Sequence, residues 1–193
     1  MTDKPLTTLE YALLGLVGMT PMSGYDVHRL FATTPLAHFS SSPGAIYPAL
    51  RRLERRGLLT AALDRTTETR PRRVYSVAKA GEAALDGWLR EAVTREEMVR
   101  DAGAPILRFS LMQGRLSRRE VVAYLEGYRE VVESYLEELR GYLPDLRRRD
   151  TLHGRLALER GIGGYERDVD WIEHAITEIK RKRRGSPKRR ASR

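Results

Sequence analysis

Arginine is the side chain with the most chemistry to offer in this sequence, and it is unevenly placed: residues 41–75 hold eight arginines against three acids, a local charge of +5. A guanidinium presents a planar fork of donors matched to phosphate oxygens, so the chemistry offered is the binding of a polyanion. Within SPGAIYPALRRLERRGLL, Ile46, Ala49, Leu50 and Leu53 recur at helical spacing and form one apolar stripe, while Tyr47, Pro48, Arg51, Arg52 and Arg55 lie off it. One face of such a helix packs and the other meets an anion. Arg65, Arg70, Arg72 and Arg73 follow on a hairpin, where they can reach a neighbouring phosphate backbone while the helix enters a major groove. Arg55 reads instead as a residue of a solvated helix face, paired with Glu54 or nearby acids. A charged helix and hairpin facing only water would carry the same charges.

Other chemistries find no constellation. The chain has no cysteine, which excludes disulfides and zinc-thiolate sites, and its four histidines, at 28, 38, 153 and 174, have no catalytic or metal-binding spacing. No phosphate-binding glycine loop and no HExxH occur. The expectation is a protein that is not an enzyme, with no cofactor and no metal.

The elements that must position the arginines are marked in the sequence. Ser42 suits an N-cap, Pro43 the first helical position and Gly57 the left-handed residue that ends the helix. Leu58 and Leu59 begin an apolar run, and Arg73 to Val77 resume alternation, which predicts a two-stranded hairpin. Upstream, Leu9, Ala12, Leu13, Leu16 and Val17 form a stripe, with Thr7 or Thr8 as cap. Thr20 to Ser23 reads as a turn, and Ser23 with Asp26 opens a second helix over 23–32. Helix, turn, basic helix and hairpin follow in the order of a winged helix-turn-helix. A fourth helix places Leu85, Trp88, Leu89 and Ala92 on one face, and a domain boundary falls at 92–95.

From Ser117 the pattern becomes a seam. Val121, Leu125, Tyr128, Val132, Tyr135, Leu139 and Tyr142 step by four and three until Pro144 closes the helix. Leu158, Ile162, Tyr165, Val169, Ile172, Ile176 and Ile179 repeat it, although Gly161, Gly163 and Gly164 interrupt the second helix. Two such faces exceed what one small domain buries, and a homodimer is the outlet. The expected fold is mainly α with a small β hairpin: a winged helix-turn-helix over 1–93, an antiparallel coiled-coil-like dimerisation domain over 94–180, and a basic, disordered tail over 181–193.

The net charge of +9 reports that tail. Residues 180–193 hold nine of the 35 basic residues and no acid, leaving 26 basic residues against 26 acids in the body. Residues 1–116 carry +4 and residues 117–179 carry −4, which points to DNA contact by the first part. No apolar run approaches the roughly 20 residues of a membrane span, and the N-terminus lacks a signal pattern. The reading is a soluble, cytoplasmic, nucleoid-associated bacterial protein with no membrane partner.

LEYALLGLV, PMSGYDVHRLF, GAIYPALRRLERRGLL and RRVYSVAKAGEAAL together resemble the PadR family of transcriptional regulators, and the C-terminal half resembles the larger helical domain of AphA-like virulence activators. The resemblance covers residues 5–92 closely and 95–180 more loosely. Two positions depart from it: Arg73 stands where the family commonly has Lys, and Ala78 where a Thr caps the next helix, a loss of about 1 kcal/mol. The resemblance implies a dimeric repressor that binds double-stranded DNA at an inverted repeat and is released by a small-molecule effector. It assigns Ser42, Gly44, Ala45, Tyr47, Pro48 and Arg51 to the recognition helix, Arg51 to base or backbone contact, Arg52, Arg70, Arg72 and Arg73 to phosphates, and Tyr25 and Ser41 to neutral hydrogen bonds. Dimerisation falls to Val121, Leu125, Tyr128, Val132, Tyr135, Leu139, Ile162, Tyr165, Val169, Ile172 and Ile176, and effector contact to Tyr128, Tyr135, Tyr165 and Trp171. The alternative is an architectural protein that binds nucleic acid without sequence preference.

Overall fold

A computed structural model describes residues 5–38, 42–64, 72–149 and 151–181. The chain divides into two compact units, Met1–Glu91 with Ile106–Leu111, and Ala92–Pro105 with Met112–Arg193.

The first unit is built around helix α1 (Thr8–Met19), which a capping box starts: the Thr7 hydroxyl accepts the Glu10 N–H and the Glu10 carboxylate accepts the Thr7 N–H. Its burial is wider than the stripe in the sequence. Ala12, Leu13, Leu14 and Gly15 are all buried, while Leu9 and Leu16 are only half-buried, because neighbours cover the helix on more than one side. Strand β1 (Met22–Ser23) leads into α2 (Gly24–Thr33), a 3-10 turn (Pro35–His38) and α3 (Pro43–Arg55). Strands β2 (Leu59–Asp64) and β3 (Arg72–Val77) form the wing, and α4 (Lys79–Leu89) follows.

The sheet has three strands in the order β1-β3-β2, not two. β1 falls where the sequence suggested only a turn, pairing Met22 with Tyr75 and Ser23 with Val74. A two-residue strand is too short to show alternation, so its pairing is set by β3. In α4, Leu85, Trp88 and Leu89 are buried as expected, but Ala92 lies beyond the helix end and is exposed, and Val93 is buried instead. α4 begins at Lys79 with no side-chain cap, in keeping with Ala78; the Ala78 N–H bonds to the Leu58 carbonyl at 3.0 Å. Trp88 stacks on Tyr11 with ring centroids 4.3 Å apart, and the Arg108 guanidinium lies over the Trp88 ring, 4.8 Å from its centroid.

In the second unit α5 (Arg95–Arg100) is capped by Thr94, and α6 (Ala104–Leu111) runs from this unit into the first. The unit is dominated by α7 (Arg118–Arg148) and α8 (Leu152–Arg181), an antiparallel pair. α7 opens with the Ser117–Glu120 capping box and is 31 residues long, about 46 Å at the helical rise. It does not stop at Pro144. A proline removes one N–H, here the partner of the Arg140 carbonyl, and leaves the following turn able to continue to Arg148. The glycines of α8 do not interrupt it either; the helix is continuous through Gly161, Gly163 and Gly164 to Arg181, so Lys180 and Arg181 belong to it.

The α7 core is Leu125, Tyr128, Val132 and Leu136, a 3.6-residue period. Leu136 takes the place that strict heptads gave to Tyr135 and Leu139, which are half-buried, and Tyr142 has rotated out to 54% exposure. From α8, Ile162, Ile172 and Ile176 are buried. Ion pairs Arg140–Glu166 at 2.6 Å and Lys180–Glu126 at 3.1 Å link the two helices.

Candidate nucleic-acid interface

The site is carried by α3. The Ser42 hydroxyl accepts the Gly44 N–H at 3.2 Å, Pro43 occupies the first turn, and Ile46, Ala49, Leu50 and Leu53 are fully buried. Burial of that stripe leaves the opposite face outward. The helix ends in a Schellman motif: Gly57 adopts φ 69°, its N–H bonds to the Glu54 carbonyl at 2.9 Å, and the Leu58 N–H bonds to the Leu53 carbonyl at 2.9 Å. This fixes where the chain leaves α3 and enters the wing.

Between α2, α3 and β3 lies a concave surface that brings together Tyr25, Tyr47, Pro48, Arg51, Arg52, Arg72 and Arg73 from the residues expected to meet DNA. Ser42, Gly44 and Ala45 sit on the first turn of α3 and are not among its lining residues. Ser41 and Arg70 lie outside the described residues, as do Arg65 and the tail beyond Arg181. Tyr47 packs against α2, so closely that a Cβ on Gly24 would stand 2.8 Å from its ring, and it stacks toward His28 at 6.4 Å. Pro48 lies within the helix, which continues through it although the Gly44 carbonyl loses its helical N–H.

The arginines differ in what they touch. The Nε of Arg52 donates to Oε1 of the buried Glu10 at 2.9 Å. Arg73 bonds to Glu54 and lies 6.0 Å from the centroid of the Tyr75 ring. Glu54 is therefore the partner of Arg73 and not of Arg55. Among the described residues Arg51, Arg55 and Arg72 have no ion pair, and all three line the concave surface. Arg55 is exposed, as a solvated residue of the helix face would be, but among the described residues it has no ion pair with Glu54 or another acid, and it lines the same concave surface as Arg51.

Burial pushes the Tyr75 hydroxyl up, against the opposing charge of Arg73, so it stays a neutral donor. For Glu10, burial alone would raise the carboxyl, but the bonds from Thr7 and Arg52 together outweigh it and hold it below its ordinary value. Glu10, Glu54, Arg55 and Tyr75 were missed as site residues. The Thr7-x-x-Glu10 spacing was a legible capping box, but nothing local connects Glu10 with a residue 42 positions away.

The expected effector residues lie in the second unit. Tyr128 is 3% exposed, and Tyr135 and Tyr165 meet edge-to-face with centroids 5.2 Å apart. The Arg95 guanidinium lies 4.9 Å from the Tyr135 centroid and bonds to Glu138 at 2.8 Å. Trp171 is half-buried on α8. Burial pushes the hydroxyls of Tyr128 and Tyr165 up, and the Asp168 carboxyl as well. Of the residues expected at a dimer seam, Leu125, Tyr128, Val132, Ile162, Ile172 and Ile176 are already buried within one protomer, while Val121, Tyr135, Leu139, Tyr165 and Val169 are half-buried.

Helix α2, helix α3 and the two-stranded wing in this order, with β1 added to the wing's β3, define a winged helix-turn-helix. Residues 13–87 match the transcriptional regulator PadR-like family, and residues 111–180 match the virulence activator alpha C-terminal family. The first match falls on the winged helix-turn-helix and the second on the C-terminal helices, so the first part of the chain is similar to PadR-like regulators and the second to the virulence-activator domain. It is 28% identical over 96 residues to the negative transcriptional regulator PadR of Bacillus subtilis, covering 50% of this chain and 53% of that one. It is 44% identical over 62 residues to the transcriptional regulator Rv3488 of Mycobacterium tuberculosis, covering 31% of this chain and 57% of that one. The matched stretches thus span just over half the length of each relative. Among solved structures, Bacillus subtilis PadR in complex with operator DNA is 24% identical, with 90% of this chain and 99% of that one covered and a TM-score of 0.44. The same protein in complex with p-coumaric acid is 25% identical, with 93% and 99% covered and a TM-score of 0.41.

Proposed function

We propose that the protein is a cytoplasmic, dimeric transcriptional regulator that binds an inverted-repeat operator through α3 and the wing and acts as a repressor. The observation that carries this reading is the concave surface of the first unit, where Arg51, Arg55 and Arg72 gather without an acid partner among the described residues. Three guanidinia without ion pairs beside three tyrosines suit a phosphate backbone and the base edges it flanks. The similarity to a protein named a negative transcriptional regulator favours repression over activation. Release by a small aromatic molecule acting at Tyr128, Tyr135, Tyr165 and Trp171 completes the proposal.

The test is an anisotropy titration of purified protein against duplex DNA from upstream of its own gene, with scrambled competitor at two salt concentrations. Tight binding that survives the competitor, at two protomers per site, is the expected result. Binding that competitor removes equally at both salts would sink the specific reading and leave an architectural one. For the effector, a thermal-shift screen of aromatic acids should raise the unfolding midpoint; a screen with no stabilising compound counts against that part.

A further inference from the structure

Glu10 is a buried carboxylate within reach of a surface that, on the reading above, receives a polyanion. Long-range electrostatics alone would make it an obstacle to DNA. Its contacts argue for the opposite. Oε2 accepts the Thr7 N–H at 2.9 Å and the Thr7 hydroxyl at 3.1 Å, and Oε1 accepts Arg52 Nε at 2.9 Å. Both oxygens are occupied, and the residue is 3% exposed. The capping box of α1 holds the carboxylate, and the carboxylate holds one nitrogen of Arg52.

Arg52 itself is 45% exposed at its side chain and lines the concave surface with Arg51, Arg55 and Arg72. A guanidinium carries five N–H donors in one plane. With Nε engaged by Glu10, the edge formed by the two terminal nitrogens remains, and among the described residues it has no bonding partner. That edge has the geometry for two parallel bonds to one phosphate.

We propose that Glu10 is a positioning residue for DNA binding: it fixes the guanidinium plane of Arg52 so that its terminal edge meets a backbone phosphate. This rests on the reading of the concave surface as a DNA interface. An acid that is buried and fully bonded thereby raises affinity for a polyanion, by removing the side-chain freedom that Arg52 would otherwise lose on binding.

The experiment measures anisotropy of a fluorescein-labelled, mixed-sequence duplex, since a phosphate contact needs no particular sequence. The full-length protein is compared with Glu10→Gln, Arg52→Ala and the double variant, with thermal unfolding of each as the control for folding. Arg52→Ala is expected to weaken binding about tenfold and to flatten the salt dependence by one phosphate, a slope change of about 0.9. Glu10→Gln, which cannot accept from both Thr7 and Arg52, is expected to weaken binding severalfold in the native background and to change nothing in the Arg52→Ala background. Arg52→Lys keeps the charge, loses the planar fork and is expected to resemble Arg52→Ala, a comparison that stands even if Glu10→Gln folds poorly.

Tighter binding by Glu10→Gln, or an equal loss in both backgrounds, would overturn the proposal, the second result marking Glu10 as a helix cap alone. Native-like binding by Arg52→Lys would overturn it too. If the native protein fails to bind any duplex at low salt, the DNA reading itself falls and the proposal with it; native binding with an unaffected Arg52→Ala removes only the proposal.

Discussion

The arginines of α3 and the wing are chemically alike and structurally unlike, and their predicted effects divide accordingly. Arg51 stands on the exposed face of the recognition helix with no ion pair among the described residues. Arg51→Ala should lower the preference for operator over scrambled DNA, a loss of about 1–3 kcal/mol in discrimination if it reads a base. Arg72, on the exposed wing strand, should behave differently: Arg72→Ala should weaken both DNAs alike and reduce the salt slope by about 0.9. Parallel titrations decide this, and equal losses for the two variants would remove the division of roles. Arg73 is already bonded to Glu54, so its removal should cost less DNA affinity than that of Arg72. Glu10 adds a pH dependence. Its carboxyl is held below the ordinary value of 4.5, so its contribution to stability is present above that value and is lost as pH falls through the folded one. The unfolding midpoint of the native protein should drop below pH 4.5 more steeply than that of Glu10→Gln; parallel curves would contradict the assignment. Composition and local spacing placed the arginines on the right elements, because burial of Ile46, Ala49, Leu50 and Leu53 dictates which residues of α3 face outward. They could not pair them. Arg52 with Glu10 and Arg73 with Glu54 are joined across 42 and 19 residues, and only the packed fold decides such contacts.

Two glycines mark where the elements are fixed, for different physical reasons. Gly57 has φ 69° and open space where a Cβ would stand, so Gly57→Ala should cost only the backbone penalty, about 1–2 kcal/mol. Gly81 lies in α4 with its missing Cβ 2.1 Å from the Leu58 carbonyl oxygen, the same carbonyl that bonds to the Ala78 N–H. Gly81→Ala must push α4 off the start of the wing, and should destabilise by about 2–3 kcal/mol or more. Chemical denaturation of the two variants checks the order, and a milder effect at Gly81 than at Gly57 would contradict it. Caps were legible because they are local chemistry: Thr7, Ser23, Ser42 and Gly57 all stand at the helix ends that their types demand. Strand β1 was not, since its two residues owe their conformation to β3. Pro144 and the α8 glycines were read as breaks on intrinsic cost alone. The packing of α7 against α8 outweighs about 1 kcal/mol per glycine, and a proline close to a helix end sacrifices a single bond.

At the scale of the molecule, charge and apolar surface separate by function. Residues 1–116 carry +4 and include the concave arginine surface, whereas residues 117–179 carry −4 and include the long helices, so the proposed DNA contact falls to the basic part of the sequence. No helix among the described residues is long and apolar enough to cross a membrane. Tyr142 on α7 and Leu152 and Leu156 on α8 are 54%, 51% and 49% exposed, and the proposed dimer offers these apolar side chains a place to be covered. Light scattering should give twice the chain mass of 22.0 kDa, and Leu152→Glu with Leu156→Glu should shift it toward the monomer. An unchanged dimer would move the interface elsewhere. The heptad reading anticipated two long helices but overstated their unused surface, because Leu125, Val132, Ile172 and Ile176 are already buried within one protomer. The most direct test of the whole account is selection from a random-sequence duplex library by the purified protein, followed by sequencing. A site-specific dimer predicts enrichment of one inverted repeat with half-sites about one helical turn apart. A pool that remains random, although the protein binds it and releases it with salt, would contradict the account and leave only charge to explain the binding.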